Sequence, residues 1–225
     1  MLIQRSECDK DINLSIVEIN KTLIDENAYM SFCCYENIDL IFDVSPHEYL
    51  EFMEKDLDGT EKRDLINGLS NAKRALDCQI EMLLYALCLK DYSDKGHFGI
   101  PKKIDLLNKV GIVAPRILNK INKIRNVMEH EFYSPGKDEV QDFADVVLLF
   151  IAYTDKYLYG IKSDCEIECE LKDRWYNIRF NRKKQKIVIE VKGEKQDCLE
   201  LKICKKIEEH FIEFIKIYMS IISEF

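Results

Sequence analysis

No stretch of this chain reaches the ~18 uninterrupted apolar residues that a membrane-spanning helix needs, so neither a span nor a membrane partner is expected. The first residues, Met-Leu-Ile-Gln-Arg-Ser-Glu-Cys-Asp, lack the basic run followed by an apolar run that marks a secretory leader. The nine cysteines include no C-x-x-C pair, and vicinal Cys33-Cys34 does not have zinc-finger spacing. A cytoplasmic protein with reduced thiols and no structural metal is the expectation. There is no Walker loop and no G-x-G-x-x-G, so two common phosphate cradles are missing. No carboxylate cluster suited to magnesium stands out, and no cofactor is expected.

Basic charge is also in short supply. Thirty-three Lys and Arg face 41 Asp and Glu, for a net charge of −8. That excludes a bulk nucleic-acid coat protein, and any nucleic-acid contact must come from a local patch. The imbalance is uneven: residues 1–58 hold 14 acidic and 4 basic side chains, whereas residues 90–137 hold 10 basic and 5 acidic.

What is present suits a folded protein. The 225 residues, 47% hydrophobic and 33% charged, suffice for one large domain or two small ones. Near the N-terminus, Ile12, Ile16, Ile19 and Leu23 recur at helical spacing. Ile38, Leu40, Phe42 and Val44 alternate as a strand would. Ser45-Pro46-His47-Glu48 is a helix start with a capping box and proline in the first turn, predicting a helix to about Asp56. Thr60 is placed to cap a long helix through about Lys90, with Leu65, Leu69, Leu76, Ile80, Leu83, Leu84 and Leu87 on its apolar face.

Ser93 through Gly99 reads as a loop. Pro101 opens a second helix, interrupted at Gly111. A third is predicted over 114–132 on the stripe Ile117, Ile121, Ile124, Met128, ended by Ser134-Pro135-Gly136. A fourth covers about 138–159. After Gly160 the period falls to two: Cys165, Ile167, Cys169 and Leu171 alternate with Glu166, Glu168, Glu170 and Lys172. Strands are predicted over 164–171, 175–181 and 186–192, with Leu199, Leu201 and Ile203 adding a fourth. A helix built on Ile207, Phe211, Phe214, Tyr218 and Ile221 closes the chain. The fold class is therefore α+β. It comprises a small mixed N-terminal region over 1–58, an antiparallel four-helix bundle over 60–160, and an antiparallel β-meander with a C-terminal helix over 164–225.

The chemistry concentrates in Lys123-Ile-Arg-Asn-Val-Met-Glu-His-Glu-Phe-Tyr133. Arg125, Asn126 and His130 put a permanent cation, an amide and an imidazole on one short helical stretch. A guanidinium matches phosphate geometry, and an imidazole exchanges protons near neutral pH. Chance would place an Arg-Asn followed by His at this spacing roughly 0.01 times in a chain of this composition. Asn126 and His130 share a helix face, whereas Arg125 sits ~140° around from His130. A helix end that loosens near Tyr133, or a second copy of the motif across a dimer, would bring the groups together. The bland alternative is an Arg125–Glu129 ion pair on a solvated face with His130 packed between helices.

The stretch from Leu118 to Tyr133, with Arg125-Asn126-x-x-x-His130 near a helix end, resembles the HEPN superfamily. The preceding long helix, LINGLSNAKRALDCQIEMLLYAL, is similar to the first helix of such domains. The resemblance covers about residues 60–160 and implies a HEPN-like four-helix bundle. Many members are metal-independent RNases with the active site at a homodimer interface, whereas others are noncatalytic binding or assembly modules. The resemblance implies catalytic roles for Arg125, Asn126 and His130, RNA as substrate, and a toxin or defence effector with an antitoxin or regulatory protein as partner. Lys120 and Lys123 are candidates for holding the RNA backbone. A toxin branch carries tyrosine two residues after the histidine. Here Phe132 stands there and Tyr133 follows, making Tyr133 a candidate accessory residue.

Other features rank lower. Arg174, Arg179, Arg182, Lys183, Lys184 and Lys186 surround Trp175, Tyr176 and Phe180, a composition that can bind single-stranded nucleic acid. No RNP signature accompanies it, and a solvated hairpin tip over core aromatics is the favoured reading. His47, His97 and His210 lie far apart and suggest no catalytic triad.

Overall fold

The computed structural model describes residues 16–24, 28–112, 136–159, 161–169, 174–192, 197–201 and 208–224. The chain is α+β. Helix α1 covers 16–23. Then follow β1 (Ala28–Glu36), α2 (Pro46–Leu57), α3 (Lys62–Ala86), α4 (Lys90–Lys95), α5 (Ile100–Lys109) and α6 (Lys137–Thr154), with a 3-10 turn at Asp155–Tyr157. Strands β2 (Ile161–Cys169), β3 (Arg174–Asn181), β4 (Lys186–Lys192) and β5 (Asp197–Leu201) and helix α7 (Glu208–Glu224) complete it.

The strands form one antiparallel sheet in the order β1-β2-β3-β4-β5. The predicted meander is present, and a strand from the N-terminal region joins its edge. That strand is not the alternating 38–44 segment. Residues 37–41 are irregular, Leu40 and Phe42 are on the surface, and Ile38 alone is buried, its N–H donating to the Leu158 carbonyl at 2.8 Å. The true strand, Ala28–Glu36, carries no clean period of two because its register shifts between Phe32 and Cys34 and again before Tyr35. Cys33 of the vicinal cysteine pair falls at that bulge, where an extra residue breaks the alternation.

On β3 and β4 the alternation is clean. Tyr176, Ile178, Phe180, Ile187 and Ile189 are buried, and Ile178 faces Ile189 while Phe180 faces Ile187. Helix α7 covers this face with Phe211, Phe214, Ile215, Tyr218 and Met219, and the Phe180 and Tyr218 rings lie 4.9 Å apart. One buried cluster runs from Ile16 and Ile19 of α1 through the α3 stripe to Met219.

Helix α2 starts as predicted: Glu48 N–H donates to Ser45 Oγ at 3.1 Å, and Ser45 N–H to Glu48 Oε2 at 2.8 Å. Helix α3 is capped one residue later than expected. Glu61 N–H donates to Asp64 Oδ2, and the helix begins at Lys62 rather than after Thr60. Helix α3 packs against α2, α5 and α6. The helix predicted over 114–132 lies outside the described residues.

Residues 93–99 are not simply a loop, because α4 occupies the first part. Helices α3, α4 and α5 all end in the same device, a left-handed residue just past the cap with two reversed backbone hydrogen bonds. The pairs are Leu89 to Leu84 with Cys88 to Tyr85, Phe98 to Ser93 with His97 to Asp94, and Ile112 to Leu107 with Gly111 to Asn108. The left-handed residues are Cys88 (φ 58°), His97 (φ 49°) and Gly111 (φ 84°). Only the last is a glycine, so only the last stop is announced by its residue type.

Candidate functional site

Arg125, Asn126 and His130, with Lys120, Lys123 and Tyr133, lie outside the described residues. The described chain on either side of them is well anchored. On one side Val110 and Ile112 are fully buried after α5. On the other, Gly136 N–H donates to Glu139 Oε2 at 2.9 Å to start α6.

The basic surplus over 90–137 divides unevenly across this boundary. Of its ten basic residues, six are described, and four of these are in ion pairs. Lys90 lies 3.0 Å from Glu81 and 3.1 Å from Asp94. Lys103 pairs with the same Glu81, Lys95 with Asp91, and Lys109 with Asp105. Lys102 holds its ammonium 5.6 Å from the Phe98 ring. Such pairs absorb positive charge locally and add little stability where they are exposed.

Among the described residues, the arrangement closest to acid–base machinery sits where the start of α2 meets the end of α6. His47 Nε2 lies 3.0 Å from Asp155 Oδ2. The other carboxylate oxygen, Oδ1, accepts from Gln79 Nε2 at 3.1 Å. Gln79 is buried on α3 and also donates to Thr154 Oγ1 at 2.8 Å. The Thr154 hydroxyl in turn donates back to the Phe150 carbonyl. Gln79 Oε1 is buried without a hydrogen-bond partner. The His47 and Tyr159 ring centres are 6.4 Å apart. Burial, with Asp155 and Cys78 nearby, raises the Tyr159 hydroxyl above its ordinary value.

A carboxylate held on its far side by a buried amide orients an imidazole well for proton transfer. A nucleophile is another matter. The nearby Cys78 thiol points to the Val44 carbonyl at 3.6 Å, and burial, with Glu81 and Asp77 adding to it, pushes it up to about 11. It stays a thiol at neutral pH, and the thiolate is the reactive form. The network therefore acts as a tie between α2, α3 and α6. Sequence reasoning set His47 aside because no other histidine is near it. The only local signal was the Ser45 cap, which puts His47 in the first turn of α2. Its partner comes from a distant segment.

The basic and aromatic stretch of β3 and β4 resolves into two parts. Arg182 is buried, donating from Nε to the Ala86 carbonyl at 3.2 Å, with its guanidinium 5.7 Å from the Phe180 ring. Burial, opposed by Tyr218, lowers it to about 10, which leaves it charged at neutral pH. Gln185 at the same turn takes φ 48°. It accepts from Lys90 N–H at 2.9 Å and donates to the Tyr85 and Arg182 carbonyls. The turn thus docks onto the C-terminal end of α3, where carbonyls lack helical partners. Lys183 and Lys184 are exposed, as is Trp175, while Tyr176 and Phe180 are in the core. The hairpin-tip reading holds for the two lysines; Arg182 is instead a cap for α3.

Comparison with protein-family models, with curated proteins and with solved structures finds no match to this chain. Among the described residues no helix is long and apolar enough to cross a membrane, and no group of three or more His, Cys, Asp and Glu is placed to hold a metal ion.

Proposed function

We propose that this chain is a metal-independent RNA endonuclease of HEPN type, working as a homodimeric toxin or defence effector. The observation that carries the reading is the Arg125-Asn126-x-x-x-His130 motif, which lies in the sequence between α5 and α6. His130 serves as general base, taking the proton from a ribose 2′-hydroxyl, or as general acid, giving one to the departing 5′-oxygen. The 2′-oxygen attacks the adjacent phosphorus, the bond to the 5′-oxygen breaks, and that oxygen takes a proton from His130 or from water. The products are a 2′,3′-cyclic phosphate and a 5′-hydroxyl end. Arg125 stabilises the charge that builds on the phosphate oxygens. Asn126 orients His130 or donates to the phosphate, and Lys120 and Lys123 hold the backbone.

The test is cleavage of a mixed RNA pool by the wild type and by His130→Ala, with both proteins shown to be folded. Cleavage by the wild type alone is expected. Equal cleavage by both would overturn the reading. A second reading is favoured by one observation, the exposure of Leu148, Leu149 and Tyr153 on α6. Such a face suits a noncatalytic binding or assembly module. RNA left intact by the wild type, under conditions where it binds RNA or a protein partner, would select it.

A further inference from the structure

The outward residues of α6 follow the 4-3 spacing of a helix-pairing seam, Asp138, Asp142, Asp145, Leu149 and Ala152, and Lys156 of the 3-10 turn continues it, all exposed. The inward face, with Val140, Phe143, Ala144, Val147, Phe150 and Ile151, is used up in the core. A helix needs one apolar stripe to dock, and the outer face of an ordinary surface helix is polar. Here the second stripe is apolar in its C-terminal half. Leu149 is 66% exposed, Tyr153 53% and Leu148 39%, and Ala152 lies beside them. Singly, such residues need no explanation, but grouped on adjacent turns they mark a contact surface.

We infer that this face of α6 is where two copies of the chain pair, antiparallel, about a two-fold axis between positions 150 and 151. The occupant follows from self-complementarity, which an isologous interface requires. Reversing the helix about that point sets Leu149 against Ala152 of the partner subunit, large against small. Leu148 and Tyr153 flank this centre on its two sides. The reversal also sets Asp145 against the partner's Lys156, opposite charges at both ends of the apolar centre. Lys156 is held for this role, its ammonium 4.7 Å from the Tyr153 ring and 4.9 Å from the Tyr157 ring. Parallel pairing would instead stack the three aspartates against themselves. The inference extends the proposed homodimer and rests on that part of the reading alone, without needing the ribonuclease chemistry.

Sedimentation equilibrium of the full chain tests it. The wild type is expected to be a dimer at micromolar concentration. Leu149→Arg should weaken the dimer roughly 100-fold or more, the loss typical of a charge placed at an interface centre. Asp145→Lys sets two lysines facing each other and should weaken it roughly tenfold. Adding Lys156→Asp should restore the dimer, because the pairs re-form with their signs exchanged. All three positions are exposed, so circular dichroism should stay at the wild-type value, while the unfolding midpoint falls only as far as loss of the dimer accounts for. A wild type that is monomeric at about 100 µM, well above a micromolar Kd, overturns the inference. So does a dimer that survives Leu149→Arg, or a double charge swap that restores nothing. Failure of the ribonuclease reading is seen separately, in the cleavage assay on His130→Ala.

Discussion

His47 on the first turn of α2 and Asp155 at the end of α6 meet at 3.0 Å, and the carboxylate between them is held from behind by Gln79 of α3. Three helices thus share one polar contact at the rim of a core that is otherwise apolar. The two halves of the contact differ in exposure. His47 is about half exposed, whereas Gln79 is buried. Asp155→Ala removes both bonds and leaves a buried amide donor short of a partner, at a cost of about 1–2 kcal/mol. His47→Ala removes only the solvent-screened half and should cost under about 1 kcal/mol. Urea midpoints for the two variants check this, and equal losses would show that the buried half contributes nothing.

RNA cleavage by the proposed mechanism needs an internal nucleophile and no metal. Activity should persist in excess chelator and disappear when the cleaved position carries a 2′-deoxyribose. Arg125→Ala and His130→Ala should each lose on the order of two to four decades in rate. Dependence on magnesium, or equal cleavage of DNA, would contradict the mechanism.

The helix stops make opposite predictions for two residues. His97 is exposed and holds φ 49°, a conformation that costs a residue with a Cβ about 1 kcal/mol or more. His97→Gly should raise stability by about 0.5–1 kcal/mol after the entropy of the unfolded glycine is counted. Gly111 sits at φ 84°, and Gly111→Ala should lower stability by about 1 kcal/mol. Differential scanning calorimetry would show the two melting temperatures moving in opposite directions.

Gln185 holds the β3–β4 turn to α3 with its whole amide. Its oxygen accepts from Lys90 N–H, and its nitrogen donates to two carbonyls. Gln185→Leu leaves the Lys90 N–H without its acceptor, whereas the Tyr85 carbonyl keeps Cys88 N–H and the Arg182 carbonyl keeps the backbone N–H of residue 185, so the cost should be about 1–2 kcal/mol. Hydrogen exchange should quicken at Lys90 and around the turn before it does in the core of α3. Uniform quickening would instead mean that the turn does not unfold as a local unit.

Two thiols set an alkaline limit. Burial pushes Cys88 up to about 12 and Cys78 up to about 11, from an ordinary value of 9.0. Both values are raised in the folded state, so the protonated form is favoured there. Their contribution to stability is intact below pH 9 and is lost as pH rises from 9 towards 12. The urea midpoint should decline over that range, and less steeply in Cys78→Ala/Cys88→Ala. An unchanged slope in the double variant would remove the thiols as the cause. Native protein at pH 8 should also alkylate slowly at both positions.

Much of the architecture was legible in the residues themselves. The α2 start is a local event, since Ser45 and Glu48 cap each other within four residues. Strands β3 and β4 were legible because one face is buried and one solvated, which imposes a period of two. The C-terminal helix was legible from Phe211, Phe214 and Tyr218. By contrast, β1 was hidden by its bulge, since an extra residue destroys the alternation that marks a strand. The stops at Cys88 and His97 were hidden because neither residue type announces a left-handed backbone as glycine does. On chemistry, the chain alone determined that Asn126 and His130 would share a face of any helix, with Arg125 ~140° around from His130. Only the tertiary structure decided that Asp155 meets His47, that Arg182 caps α3 rather than facing solvent, and that α6 keeps an apolar face outside the core. Spacing along a chain sets which residues share a local face; which distant segment fills the space opposite is set by packing, and no local pattern encodes it.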